Sequence, residues 1–313
     1  MKSKAVPVLC RFGLAAALLT APPFAADLAS GQESKSAAPS AGEKSHNSEN
    51  KRLMADMQRL ADTVRVTKGQ GDESKEVKRL PEPLLRFSDQ KRFISDGTLW
   101  VWGIAGRPLL IAEFHTGDRL KPHWGQWLQA TSDEPLAAVI GGHGRWSTRQ
   151  TDFKLLSIAD LGDPAKTEAG RLRQMKRFAR TLTASSQWKG QRFELRLLPT
   201  EVHRYADAAN GLVDGAVFVF TVDNNPEAIL FVEAHKAGTD STAPGSWKYA
   251  LARMSAASLT FSRGDTEVWA VPESFGSTNE THYAFTRTVP YAAEGRELDS
   301  PGRRPGKVPS LED

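Results

Sequence analysis

Two stretches of the chain repeat apolar residues at three- and four-residue steps: Met54, Met57, Leu60, Ala61 and Val64, then Leu172, Met175, Phe178, Ala179 and Leu182. Each spacing lays one apolar stripe along a helix. A polar linker follows each stripe, and then alternating runs, of which Leu99-Trp100-Val101-Trp102 and Val217-Phe218-Val219-Phe220 are the clearest. The period of two predicts strands with aromatic residues on one face and aliphatic residues on the other. Asp96-Gly97 and Asp214-Gly215 interrupt apolar runs and read as two-residue hairpin turns with positive φ. Gly106-Arg107-Pro108, Asn224-Asn225-Pro226 and Ser132-Asp133-Glu134-Pro135 mark further turns.

The two patterns are copies of one another. Shifted by 118 residues, positions 57–108 match positions 175–226 at thirteen of 52 places without a gap, among them Arg86/Arg204, Asp89/Asp207, Asp96/Asp214 and Gly97/Gly215. Chance alone would give about three identities on ordinary composition. A further slip of two aligns Glu113-Phe114-His115 with Glu233-Ala234-His235. At 123, Trp124, Leu128, Ser132, Leu136 and Trp146 fall on Trp247, Leu251, Ser255, Leu259 and Trp269. The expected fold class is therefore α+β: two tandem homologous units, 51–168 and 169–291, each one helix packed on a four- to five-stranded antiparallel sheet.

Composition narrows the class without naming a function. A chain of 313 residues, 40 % hydrophobic and 25 % charged, is neither collagen-like, wholly disordered nor a multi-span membrane protein. Lys2, Lys4 and Arg11, an apolar run over 12–21 and Ala29-Ser30-Gly31 have the order of a secretory signal, so residues 1–31 read as a cleaved leader. The run is too short for a permanent span, and the location expected is secreted or periplasmic. The single cysteine, Cys10, precedes the apolar run, where it cannot serve as a lipoprotein anchor. Residues 32–50 and 292–313 read as a disordered spacer and tail. Loss of the leader removes three basic residues and Asp27, taking the formal charge from +4 to +2 and with it most of the case for nucleic acid.

Candidate chemistry is sparse. Trp100 and Trp102 read as core beneath the helix, with a stacking surface for a sugar or other flat ligand as the alternative. Glu113 and His115 share a strand face, as do Glu233 and His235; with His123 they offer three metal-type ligand atoms or a proton-transfer pair, against the plainer reading of a polar strand end. The second copy has no counterpart of His123, so no metal site is expected. Arg86/Arg204 with Asp89/Asp207 suit ion pairs that fix the first strand or turn. Arg171, Arg173, Lys176, Arg177 and Arg180 make the second helix basic, which reads as a solvated face. No nucleophile elbow, zinc-protease, phosphate-loop or dinucleotide motif is present, and no cofactor is expected.

The runs Arg171-Leu172-Arg173-Gln174-Met175, Glu194 to Pro199, His203-Arg204-Tyr205, Asp214-Gly215-Ala216, Asn225-Pro226-Glu227 and Trp247 to Ser255 resemble a family of secreted, uncharacterised proteins of planctomycete-type bacteria. The resemblance implies export and a bacterial source; it implies no activity. The expected function is a non-catalytic binding module for a small ligand or protein partner, with Trp100, Trp102, Glu113, His115 and His123 as candidate ligand-binding residues. The alternative is a hydrolase or isomerase using scattered His, Glu and Asp in a sheet concavity.

Overall fold

The computed structural model describes residues 41–69, 74–120, 123–148, 151–236 and 245–288. The leader, the tail and residues 32–40 of the spacer lie outside them. Helix α1 (Ala41–Asp62) is followed by β1 (Val64–Lys68), β2 (Lys75–Val77), β3 (Leu85–Asp89), β4 (Ile94–Trp102), β5 (Leu110–Thr116), β6 (His123–Ala130), β7 (Leu136–Ile140), β8 (Gly144–Ser147) and β9 (Leu156–Ile158). Then come α2 (Glu168–Ala179), β10 (Leu182–Trp188), β11 (Gln191–Glu194), β12 (Arg196–Leu197), β13 (His203–Asp207), β14 (Leu212–Val222), β15 (Asn225–His235), β16 (Ser246–Arg253), β17 (Ser258–Arg263), β18 (Thr266–Val271) and β19 (His282–Thr288).

The expected α+β class is overturned. The described residues are 52 % strand and 13 % helix, with two helices and four sheets, and are mostly β. The missed element is the strand directly behind each helix. Thr63 and Thr181 end the helices alike, each hydroxyl donating to a carbonyl three residues back, Leu60 and Phe178, at 2.7 Å. The chain then enters β1 or β10, which pair with distant β7 and β17 to form small sheets of order β2-β1-β7-β8 and β11-β10-β17-β18. The large sheets have orders β3-β4-β5-β6-β19 and β12-β14-β15-β16-β9, with β13 also on β14. Helix α1 also begins at Ala41, inside the expected spacer: the apolar stripe marks where the helix meets the core, not where it starts.

Registers repeat from one half to the other. Phe87↔Gly97 recurs as Tyr205↔Gly215, Trp102↔Leu110 as Phe220↔Ala228, Leu110↔Ala130 as Ala228↔Arg253 and Ala138↔Trp146 as Phe261↔Trp269. The offset of 118 thus runs unbroken through β5 and β15 before changing to 123. The two-residue slip that set Glu113 against Glu233 is corrected: His115 is the positional counterpart of Glu233. Asp96-Gly97 and Asp214-Gly215 are not turns either, for they lie inside β4 and β14. Gly97 is needed because the Phe87 ring lies on it, at 2.5 Å from where a Cβ would stand.

Three cores hold the sheets. Met57, Leu60, Trp100, Trp102, Phe114 and Trp146 belong to the core between the sheets of the first half, and Met175, Phe178, Phe218, Phe220, Tyr249 and Phe261 to that of the second. Leu99, Val101, Ile111, Val217, Val219 and Ile229 form a third, where the two large sheets pack on each other. Strands such as β15 are consequently buried on both faces.

The halves also exchange their last strands. β9, which ends the first half, pairs with β16 of the second, and β19, which ends the second, pairs with β6 of the first. Each closes the edge of the other's large sheet. Among the described residues, those from Ser45 on form one compact unit.

Candidate functional site

Along β15, Ile229, Phe231, Glu233 and His235 alternate onto the face that meets the other large sheet, as Ile111, Glu113 and His115 do along β5. The polar ends of these two strands sit at the seam between the sheets. At the β15 end a residue from a turn of the opposite sheet, Arg107, reaches in.

Glu233 has a full set of partners. Arg107, in the turn between β4 and β5, donates from Nε at 2.6 Å and from Nη2 at 3.0 Å, and the Tyr205 hydroxyl donates at 2.8 Å. His235 Nε2 lies 2.8 Å from Oε2. Burial alone would raise the Glu233 pKa. Hydrogen bonds from His235, Arg107 and Tyr205 outweigh it and hold the carboxyl at about 2. Burial, followed by the Glu233 charge, pushes the Tyr205 hydroxyl well above its ordinary value. A carboxylate ionised at every ordinary pH is an anchor, not a proton shuttle.

The other end of the seam is less complete. Glu113 is buried, and His115 Nδ1 lies 2.7 Å from its Oε1, at an angle that makes an ion-pair contact and not an aligned hydrogen bond. Glu113 Oε2 meets no donor among the described residues. Arg92, in the turn after β3, pairs with the fully buried Glu227 of the opposite sheet, and its backbone N–H donates to Asp89 at 3.1 Å. Burial lowers the Arg92 pKa, while Asp89, Glu113 and Asp223 pull it back up. Asp89 Oδ2, Arg92 Nη2, Asn225 Oδ1 and Glu227 Oε2 are buried without hydrogen-bond partners among the described residues. Nothing in the sequence signalled that Arg92 and Glu227 pair, because each acts on the other half across the seam.

The remaining candidates fall elsewhere. Trp100 and Trp102 are 0 % and 2 % exposed, so neither face is open to a flat ligand; they are packing residues. The Trp100 indole donates to Thr98 Oγ1 at 2.8 Å, and the Arg79 guanidinium covers its ring at 4.4 Å. His123 is exposed at the start of β6. Among the described residues no three of His, Cys, Asp and Glu gather as metal ligands, so Glu113, His115 and His123 do not form a set. Arg86 and Arg204 pair with Asp96 and Asp214, at 2.5 Å each, in place of Asp89 and Asp207. Those two instead accept the backbone N–H three residues on, from Arg92 and Asn210. On the basic helix, Arg171 is buried against Asp214 at 2.8 Å and Lys176 pairs with Glu201 at 2.8 Å.

No protein-family model, curated protein or solved structure matches this chain.

Proposed function

We propose that the protein is an exported, non-catalytic binding module that arose by tandem duplication of one unit. The repeated registers at offsets of 118 and 123 support the duplication. The leader-like residues 1–31 support export, in keeping with the resemblance to secreted bacterial proteins. Among the described residues no helix is long and apolar enough to cross a membrane. The observation that carries the binding reading is the state of Glu233: the carboxylate best placed for chemistry is consumed by Arg107, Tyr205 and His235 in joining the two large sheets.

A second reading, a hydrolase or isomerase, is favoured by the Glu113 and His115 pair. One carboxylate oxygen there lacks a donor, and the His115 side chain is 21 % exposed. One experiment decides between them. Purified protein is assayed for turnover of generic ester, glycoside and phosphoester substrates, beside Glu113→Gln and His115→Ala variants shown to be folded. The binding reading expects no turnover that depends on either residue. Turnover that both substitutions abolish overturns it. Mass spectrometry of protein recovered from a bacterial periplasm tests export, with a chain that keeps residues 1–31 as the contrary result.

A further inference from the structure

The repeat supplies an internal control, because a feature closed in one half can be compared with its counterpart in the other. In the first half the mouth of the sandwich, between β8 and the exchanged strand β19, is shut by rings. Tyr283 and Phe285 stack with centroids 4.8 Å apart, and His143 stacks on Phe285 at 4.1 Å and reaches the Tyr283 hydroxyl at 3.0 Å. Beneath them Trp146 is 1 % exposed and donates its indole N–H to the Glu280 carbonyl at 3.0 Å.

In the second half the same positions hold no rings. Phe285 stands opposite Gln126, whose counterpart at the offset of 123 is Tyr249, and Tyr249 stands opposite Leu156. Two residues before Leu156, at the step that separates Tyr283 from Phe285, stands Lys154, and the offset of 123 sets Thr266, opposite Arg263 in β18, against His143. Trp269, the counterpart of Trp146, is left half-buried, and Leu156 is 42 % exposed. The outcome is a depression of about 130 Å³ lined by Asp152, Lys154, Leu156, Tyr249, Leu251 and Trp269.

We propose that this depression is a binding site for a single aromatic ring bearing an anionic group, such as a small aromatic acid. The shape argument is that two stacked rings fill the counterpart space. The size agrees, since an apolar cavity of about 150 Å³ accepts benzene. The charge argument rests on Lys154, exposed at the rim and in no ion pair among the described residues, while the other charge of the lining, the Asp152 carboxylate, is offset by its interaction with Arg253. Tyr249, Leu251 and Trp269 supply the apolar walls and a ring edge for stacking. The site lies on the opposite face of the second large sheet from Glu233, so its outcome is separable from the turnover assay.

Benzoate is the probe, titrated into the folded full-length protein labelled with nitrogen-15, with the tryptophan indole signals as the readout. The signal missing from a Trp269→Phe variant identifies the reporter among the eight tryptophans. Saturable movement of that signal is expected. It should weaken about two- to fivefold in Lys154→Gln, in line with an exposed ion pair, and by about tenfold or more in a Lys154→Tyr, Leu156→Phe variant that restores the rings of the first half. If the double variant does not fold, Leu156→Phe alone serves. No saturable shift of the reporter, or an equal shift in the ring-filled variant, overturns the proposal.

Discussion

Arg107 and Glu233 meet across the seam between the two large sheets, two guanidinium nitrogens on two carboxylate oxygens at 2.6 and 3.0 Å. The turn that carries Arg107 belongs to one half and the strand that carries Glu233 to the other, so the pair joins the halves. Removing one partner strands a buried charge. Arg107→Met should therefore cost about 3–5 kcal/mol in urea denaturation at neutral pH. The same carboxyl gives the protein an acid limb. Its folded pKa, about 2, lies below the ordinary value of 4.5, so its contribution is complete above about pH 4.5 and is lost as pH falls toward 2. A Glu233→Gln variant should show a flatter limb over that window; an unchanged limb would place the acid sensitivity elsewhere.

His282 sets a second, milder window. It stacks on Trp127 with centroids 5.4 Å apart and faces Arg253 at 3.4 Å. Burial, then the Arg253 charge, lowers its pKa to about 4, against 6.5 for a free histidine. The folded protein then binds fewer protons than the unfolded chain between those values. Stability falls as pH drops from about 6.5 to about 4 and levels off below, the sign fixed by proton linkage. Burial lowers His143 and His203 too, which adds in the same direction. Thermal midpoints from pH 7 to pH 4 should fall less steeply in His282→Phe than in the parent.

Local signals told much of this, and failed where pairing is non-local. Period-two alternation is enough to separate Trp100 and Trp102 from Leu99 and Val101 and to put Glu113 and His115 on one face. It says nothing of which strand lies beside them. Val64 pairs with Ile140, so the small sheets were invisible to any window along the chain, and one helix on one sheet was the simplest assembly left. Asp96-Gly97 has the composition of a hairpin turn for two unrelated reasons. The aspartate pairs with Arg86, and the glycine makes room for Phe87. Glu227 and Glu233 each take an arginine from the opposite half. No spacing rule in one sequence brings Arg92 or Arg107 to them.

Gly97 offers a test with an unusual sign. An alanine inside a strand ordinarily stabilises by roughly 0.5–1 kcal/mol relative to glycine. Here its Cβ would stand 2.5 Å from the Phe87 ring, and overpacking of this kind costs about 1–3 kcal/mol. Gly97→Ala should thus lower the urea midpoint, and a Phe87→Leu background should recover much of the loss as a coupling energy. Gly215→Ala should cost more. The Tyr205 ring over it is tied by its hydroxyl to Glu233 and has less freedom to shift than Phe87.

The strand exchange predicts how the chain behaves when it is cut. A break between Asp163 and Pro164 leaves β9 on the first fragment, paired with β16 of the second, and β19 on the second, paired with β6 of the first. Neither fragment alone can close its own large sheet, and each would expose an apolar edge strand. The exchanged strands are also fastened by side chains. Arg287 of β19 donates to Gly141, to Leu60 at the end of α1 and to Thr63, while Asp160, just past β9, pairs with Arg263 at 2.7 Å. Co-expressed fragments should co-purify through a tag on either one, elute together in gel filtration and unfold in one transition; expressed singly, each should be insoluble. Two soluble fragments that fold apart from one another would mean that the exchange contributes little, and that each half closes by its own small sheet and helix.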